Sequence, residues 1–282
     1  MKYLLEIGLF IIVLFLYLHI YYHLKVSNDL EVYSIQQPSK DKLEEVCNLR
    51  QPLYFDMVNE DILQTCNLSY IDENYNPFDV KIRDNTSEDK DNLYLPVSLK
   101  EAIKLFKNDD NGKYITEKNQ DFLEETAMVK NYRHNDSFLR PPLVSNCKYD
   151  FITGSKNSFT PLRYNLNYRN FFYVTSGTVK VLLIPPKNSK YLNEYKDYDN
   201  FEFRSPINPW DVQENFKKEF EKIKSLEITL EKNNILFIPP YWWFSIQYQE
   251  ISSVACFYYR TYMNTIAISP ETVSYTHLRA HE

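Results

Sequence analysis

Glycine is scarce in this chain, and histidine is scarce where metal chemistry would need it. Only four glycines and five histidines occur in 282 residues. No Gly-rich phosphate loop and no Gly-x-Ser-x-Gly elbow is present, which excludes a P-loop nucleotide site and an α/β-hydrolase nucleophile. The four cysteines, Cys47, Cys66, Cys147 and Cys256, contain no pair spaced for zinc, so a zinc ribbon is excluded. They are expected as buried thiols, with a disulfide only if the domain faces an oxidising compartment. Positive charge is also short. Lys and Arg number 32 against 38 Asp and Glu, a net charge of −6. That excludes a general nucleic-acid binder, which needs a basic surface. No internal repeat or low-complexity tract appears.

Apolar and aromatic residues are plentiful, at 44% and 16% of the chain. That suffices for one large domain with a proper core, or two small ones. The many tyrosines, asparagines and lysines fit an AT-rich genome.

The two ends stand apart from the rest. Ile7 to Leu24 is 18 residues without a formal charge. As a helix rising ~1.5 Å per residue, it nearly spans a bilayer core of ~30 Å. Tyr17, Tyr21 and Tyr22 sit at its C-terminal end, where an interfacial aromatic belt belongs. His-Leu-Lys-Val-Ser-Asn after it has no small-x-small cleavage site, so an uncleaved, single-pass signal anchor over residues 1–25 is expected. Its bilayer partner is residues 7–24. Lys2 and Lys25 flank the run evenly, and the sequons at Asn67, Asn85 and Asn135 are no more than chance supplies, so orientation stays open. Residues 26–40 read as a polar juxtamembrane linker and 41–272 as the folded domain. The last ten residues, VSYTHLRAHE (273–282), resemble translated sequencing-library adapter. They are treated as foreign to the fold, with the natural chain expected to continue differently beyond Thr272. His277 and His281 lie in that tail, and His19 and His23 in or beside the anchor. His134 alone remains in the domain, and is expected at the surface.

Along the domain, Ser39 is placed to cap a short helix through Leu43 and Val46, and Gln51 to Phe55 reads as a strand. Residues 70–92 are rich in Asp, Asn and Glu and read as a surface excursion. Ser98-Leu-Lys-Glu101 is a capping box. A second helix is expected over 118–129. From Phe151 the pattern turns to strands. Phe171–Val174 and Val179–Ile184 flank the hairpin signature Thr175-Ser176-Gly177-Thr178. Pro209 to Lys224 has Val212, Phe216, Phe220 and Ile223 at helical spacing. Ile235–Ile238, Trp243–Tyr248 and Ser252–Tyr259 are further strands. Strands with tight turns and one inserted helix predict a closed or sandwiched antiparallel barrel.

Two blocks carry more than a pattern: FTPLRYNLNYRNFFYVTSGTVKVLLIPP (159–186) and ILFIPPYWWFSIQY (235–248). In order, spacing and the IPPYWW string they resemble the two halves of a JmjC-type cupin core of the asparaginyl-hydroxylase-like kind. The likeness runs loosely over about residues 45–260, and extends to membrane-anchored cupin-like proteins of large DNA viruses. It implies a mainly β fold with helices, a double-stranded β-helix (cupin or jelly-roll barrel), here preceded by a single transmembrane helix. Relatives hold Fe(II) with two histidines and a carboxylate, leaving positions open for oxygen and 2-oxoglutarate. The resemblance puts Arg163, Asn165 and Phe244 at those three positions. Arg163 has no lone pair to give, and a guanidinium ~4 Å from a divalent cation repels it by roughly 8 kcal/mol at an effective dielectric of ~20. Val179 stands where the 2-oxoglutarate lysine would be, and alternation turns the adjacent Lys180 to the other face.

The expectation is therefore a membrane-anchored, non-catalytic cupin-like domain with a binding or assembly role, no metal and no cofactor. Phe244 would fill the metal cavity and Arg163 would pair with an acid or a carbonyl. Three rivals are carried. Arg163, Asn165, Thr160, Asn170 and Tyr173, with Tyr164, form a site for an acidic small molecule. The domain is an Fe(II)/2-oxoglutarate hydroxylase with an atypical metal site. Or it is a metal-independent enzyme reusing the barrel. A protein partner is also open. Trp242 and Trp243 are expected in the core rather than as a ligand platform.

Overall fold

The computed structural model describes residues 2–85, 94–198 and 201–279. Helix α1 (Lys2–Leu24) comes first. It is apolar on every side, its core window is unburied, and it is long enough to cross a membrane. Before the barrel the chain forms β1 (Tyr33–Ile35), α2 (Lys40–Cys47), β2 (Leu53–Asp56), α3 (Glu60–Thr65) and α4 (Leu68–Tyr75). Then follow β3 (Asp79–Asp84), β4 (Leu95–Ser98), α5 (Leu99–Lys107), β5 (Tyr114–Thr116), α6 (Gln120–Glu125) and α7 (Val129–Asn135). The barrel begins with β6 (Val144–Gly154), β7 (Arg163–Tyr164), β8 (Arg169–Ser176) and β9 (Thr178–Ile184). An inserted excursion carries β10 (Tyr195–Asp197), β11 (Glu202–Arg204) and α8 (Lys217–Phe220). It closes with β12 (Leu226–Glu231), β13 (Asn234–Ile238), β14 (Trp243–Tyr248) and β15 (Ser252–Thr261), ahead of α9 (Tyr262–Arg279), which runs beside α1.

The central strands of one sheet run β13-β8-β15-β6, and those of the other run β7-β14-β9-β12. Each consecutive barrel strand from β6 to β9, and again from β12 to β15, crosses to the opposite sheet. This is the double-stranded β-helix that the two sequence blocks imply. The hairpin expected at Thr175–Thr178 is instead a tight turn from one sheet to the other. β8 pairs with β13 and β15, and β9 with β12 and β14, while Gly177 takes the turn at φ +74 with Ser252 packed where a Cβ would stand.

Strand alternation sorts side chains into three apolar layers. Phe172, Val174, Leu236, Ile246 and Cys256 fill the barrel interior. Phe171, Tyr173, Phe237, Phe257 and Tyr259 face the other way, under the helices of the N-terminal half. Leu182, Ile184 and Trp243 pack on the outer face of the second sheet. Trp242 and Trp243 are both fully buried, in different layers, so neither is a ligand platform. Trp242 donates its indole N–H to the Ser27 carbonyl at 3.1 Å, and Trp243 to Ser189 Oγ at 2.8 Å.

Several local expectations need correction. The helix over 209–224 is helical only at α8. Its apolar side chains do pack on the outer layer. Upstream, however, Asn208 Oδ1 accepts from Trp210 N and Gln213 Oε1 accepts from Asn208 N, diverting the backbone bonds a helix needs. The expected 118–129 helix starts late, because the N–H groups of Lys118 and Asn119 bind the Asp150 carboxylate, both at 2.8 Å. It then breaks at Ala127, where φ is 57. The 70–92 stretch is not wholly an excursion: Asn67 caps α4, and β3 buries Val80 and Ile82 in the sheet. Residues 86–92 of that stretch, and residues 280–282 of the adapter-like tail, lie outside the described residues. The 26–40 segment is stitched down rather than free. β1 pairs in parallel with β2, and Val26 and Val32 pack against the barrel. All four cysteines are free, and burial raises the thiols of Cys47 and Cys66 to about 12 and about 11. His134 is exposed on α7.

Candidate functional site

Strand register brings together two of the three positions that the resemblance assigns to the metal. Arg163 on β7 pairs directly with Phe244 on β14 and, on its other side, with Arg204 on β11. Directly opposed residues point to one face, so Arg204, Arg163 and Phe244 stand in a row facing the barrel. A cavity of about 340 Å³ opens above them, lined by Arg163 and Asn165 among others.

Phe244 is fully buried. Its ring packs on Phe172, centroids 5.1 Å apart, and closes the floor beneath the Arg163 guanidinium, which lies 5.7 Å from the ring centroid. The guanidinium does not hang free. It meets the Glu117 carboxylate at 2.6 Å, and Glu117 is 1% exposed. The Tyr94 hydroxyl donates to the other Glu117 oxygen at 2.6 Å. Burial alone would raise the Glu117 carboxyl, but Arg163 and Arg83 beside it bring it below the ordinary glutamate value. Burial would likewise lower Arg163, and Glu117 more than offsets it, so the arginine stays a cation. A second pair lies next to this one. Arg204 meets Glu202 at 2.9 Å, and Lys118 also contacts Glu202. Burial lowers Lys118 to about 8.

The other expected site residues divide. Asn165 lines the cavity, and its carbonyl accepts from Tyr241 N at 3.0 Å. Thr160 is buried in the frame, its Oγ1 accepting from Ile246 N at 2.9 Å and its carbonyl from Ser245 Oγ at 2.6 Å. Asn170 is buried too, donating to the Ile238 carbonyl at 3.0 Å. Both therefore hold strands rather than face the cavity. Tyr173 points to the opposite side of its sheet, where its hydroxyl donates to the Met57 carbonyl at 2.6 Å. Tyr164 stacks on Phe203 at 4.9 Å, and its hydroxyl donates to Glu194. Val179 is buried in the barrel interior, and Lys180 is turned outward beside Gln247.

Glu117, Tyr94, Arg204 and Arg260 are partners that sequence reasoning did not find. Glu117 comes from the segment just after β5, outside both resembling blocks, and nothing in its neighbourhood marks it. Arg260 lines the same cavity. Its Nε donates to Asn167 Oδ1 at 3.0 Å and its guanidinium lies 4.3 Å from the Phe201 ring centroid, with no carboxylate partner among the described residues.

The donor set does not fit iron. Fe(II) needs imidazole and carboxylate lone pairs. At the three positions stand a guanidinium already bound to an acid, an amide and a phenyl ring. Among the described residues no three His, Cys, Asp or Glu side chains gather as a metal site.

No curated protein matches the chain. The family model described as "Cupin-like domain" matches residues 38–265, which covers the whole barrel and most of the helical half before it. With that match and the eight-strand topology in agreement, the chain belongs to the cupin-like domain family.

Proposed function

We propose that this chain is a membrane-anchored, non-catalytic member of its family, with a binding or assembly role. The observation that carries the reading is the pair of half-buried Arg163 with fully buried Glu117 over Phe244, which occupies the corner where relatives coordinate a metal. Opening that corner means separating two desolvated charges and displacing a packed ring. The anchor reading is supported by α1, whose Leu, Ile and Phe side chains are exposed among the described residues. An open apolar surface of that length is stable in lipid and not in water.

The test is iron-dependent turnover. Full chain in detergent, supplied with Fe(II), ascorbate and 2-oxoglutarate, is expected to release no succinate above a protein-free control. Stoichiometric succinate release would establish the hydroxylase alternative instead.

A second reading is favoured by Arg260. A half-buried guanidinium that faces the cavity and has no carboxylate partner of its own among the described residues invites a small acidic ligand, although Glu117, Asp150 and Glu202 also line that cavity. Calorimetric titration with small carboxylates, phosphate and acidic sugars is expected to give heat that Arg260→Gln removes. A flat trace with all of them would dismiss this reading and leave the first intact.

A further inference from the structure

We propose that the cavity at the foot of α1 binds the phosphate of an anionic phospholipid through Arg50 and Lys25. The proposal rests on the anchor reading above, since α1 is what places the cavity at headgroup level.

Arg50 is the anomaly. It follows α2 with φ 58, and it is 4% exposed. Among the described residues none of its three side-chain nitrogens makes a well-formed hydrogen bond, the Tyr22 hydroxyl beside it offering a weak contact at most. Its guanidinium lies against the rings of Tyr168 and Tyr22, 4.5 and 5.4 Å from their centroids. The nearby Glu44 is already committed, to Arg169 at 2.7 Å and Lys40 at 3.1 Å. Burial lowers Arg50 from the ordinary arginine value, and the two phenols partly offset this. Ring faces stabilise a cation but accept few of its N–H bonds. A buried guanidinium with most of its donors unspent is a site that can take an acceptor.

The space for one is there. Arg50 lines a cavity of about 520 Å³ together with Lys25, Tyr22, Ser27 and Asn28. The walls are fixed. Ser27 N donates to the Arg50 carbonyl at 3.3 Å, and the Lys187 ammonium donates to the Asn28 carbonyl at 3.2 Å. The carboxylate on this rim, Asp29, accepts from Ser27 Oγ at 3.0 Å and pairs with no cation among the described residues. Lys25, Arg50 and Lys187 thus outnumber it.

Place and chemistry select the ligand. α1 ends at Leu24, so Lys25 and the cavity sit where an anchored helix leaves the hydrocarbon, beside the exposed Tyr17 and Tyr21. Lipid phosphates lie at that depth. A planar guanidinium fork matches phosphate oxygens in pairs. The excess positive charge disfavours a choline headgroup and favours a net-anionic one.

The experiment uses the full chain in uncharged detergent micelles. Melting is followed by tryptophan fluorescence as dioctanoyl phosphatidate, dioctanoyl phosphatidylcholine or inorganic phosphate is added. Phosphatidate is expected to raise the melting temperature saturably, with at least tenfold tighter apparent binding than phosphatidylcholine. Arg50→Gln should weaken it at least tenfold. Lys25→Gln, at an exposed position where folding is not at stake, should weaken it several-fold and decides the matter if the Arg50 variant does not fold. No phosphatidate effect, or an effect unchanged in the variants, overturns the proposal. An equal effect of inorganic phosphate overturns the lipid assignment. Flotation with pure phosphatidylcholine vesicles tests the anchor separately: a chain that fails to float refutes the anchor, while the micelle titration still judges the phosphate site.

Discussion

Replacing Glu117 with alanine is expected to lower the melting temperature of the full chain by roughly 10 °C, one of the two largest effects of any single change considered. The variant leaves Arg163 as a half-buried cation facing Arg204 and Arg83 with its acid gone. Breaking one side of a buried pair typically costs about 3–5 kcal/mol, and each kcal/mol is worth ~2–4 °C in a domain of this size. The double variant Glu117→Ala/Arg163→Met should recover much of the loss, because the charge that needed a partner is removed as well. The effect has a pH signature. Glu117 is held below its ordinary value, so its contribution is complete above the unfolded-state value of ~4.3 and disappears as pH falls through the folded one. The gap between wild type and Glu117→Gln should therefore be full at pH 7 and shrink below about pH 4. A melting temperature unchanged by Glu117→Ala would mean that the pair is not a structural replacement for a metal centre.

Phe244→Ala is expected to cost a similar amount, about 3–5 kcal/mol, for a different reason. The ring is fully buried against Phe172 and forms the floor under Arg163. Truncation leaves a void between two β-sheets that are pinned by their ladders and cannot collapse inward. Phe244→Leu should cost much less, about 1 kcal/mol, because most of the volume is kept. The measurement is thermal melting of the three proteins under one condition. If alanine and leucine were equally harmless, Phe244 would be a bystander at the barrel mouth rather than its plug.

Much of the architecture was legible because barrel strands carry strong local signals. The Thr175–Thr178 turn, the IPPYWW string and the capping box at Ser98, whose Oγ accepts from Glu101 N, all act within a few residues, though the turn joins two sheets rather than closing a hairpin. Arg163 and Phe244 were legible as neighbours through the resemblance, and the register places them opposite each other. The partner of Arg163 was not. Glu117 lies dozens of residues upstream, and what ties it to Arg163 is the folded barrel alone. Tyr173 was misplaced for a related reason. β8 is buried on both faces, so hydrophobicity does not say which residues look inward. Arg50 shows the same limit: one arginine among many in the sequence, it becomes unusual only when Tyr22 and Tyr168 close over it.

The central claim is that the metal corner has been rebuilt as an ion pair over an aromatic floor. Anaerobic incubation of the purified full chain with excess Fe(II), followed by desalting and elemental analysis, tests it most directly. Far less than one equivalent of iron is expected to remain. One tightly held equivalent, lost on changing Arg163 or Asn165, would contradict it.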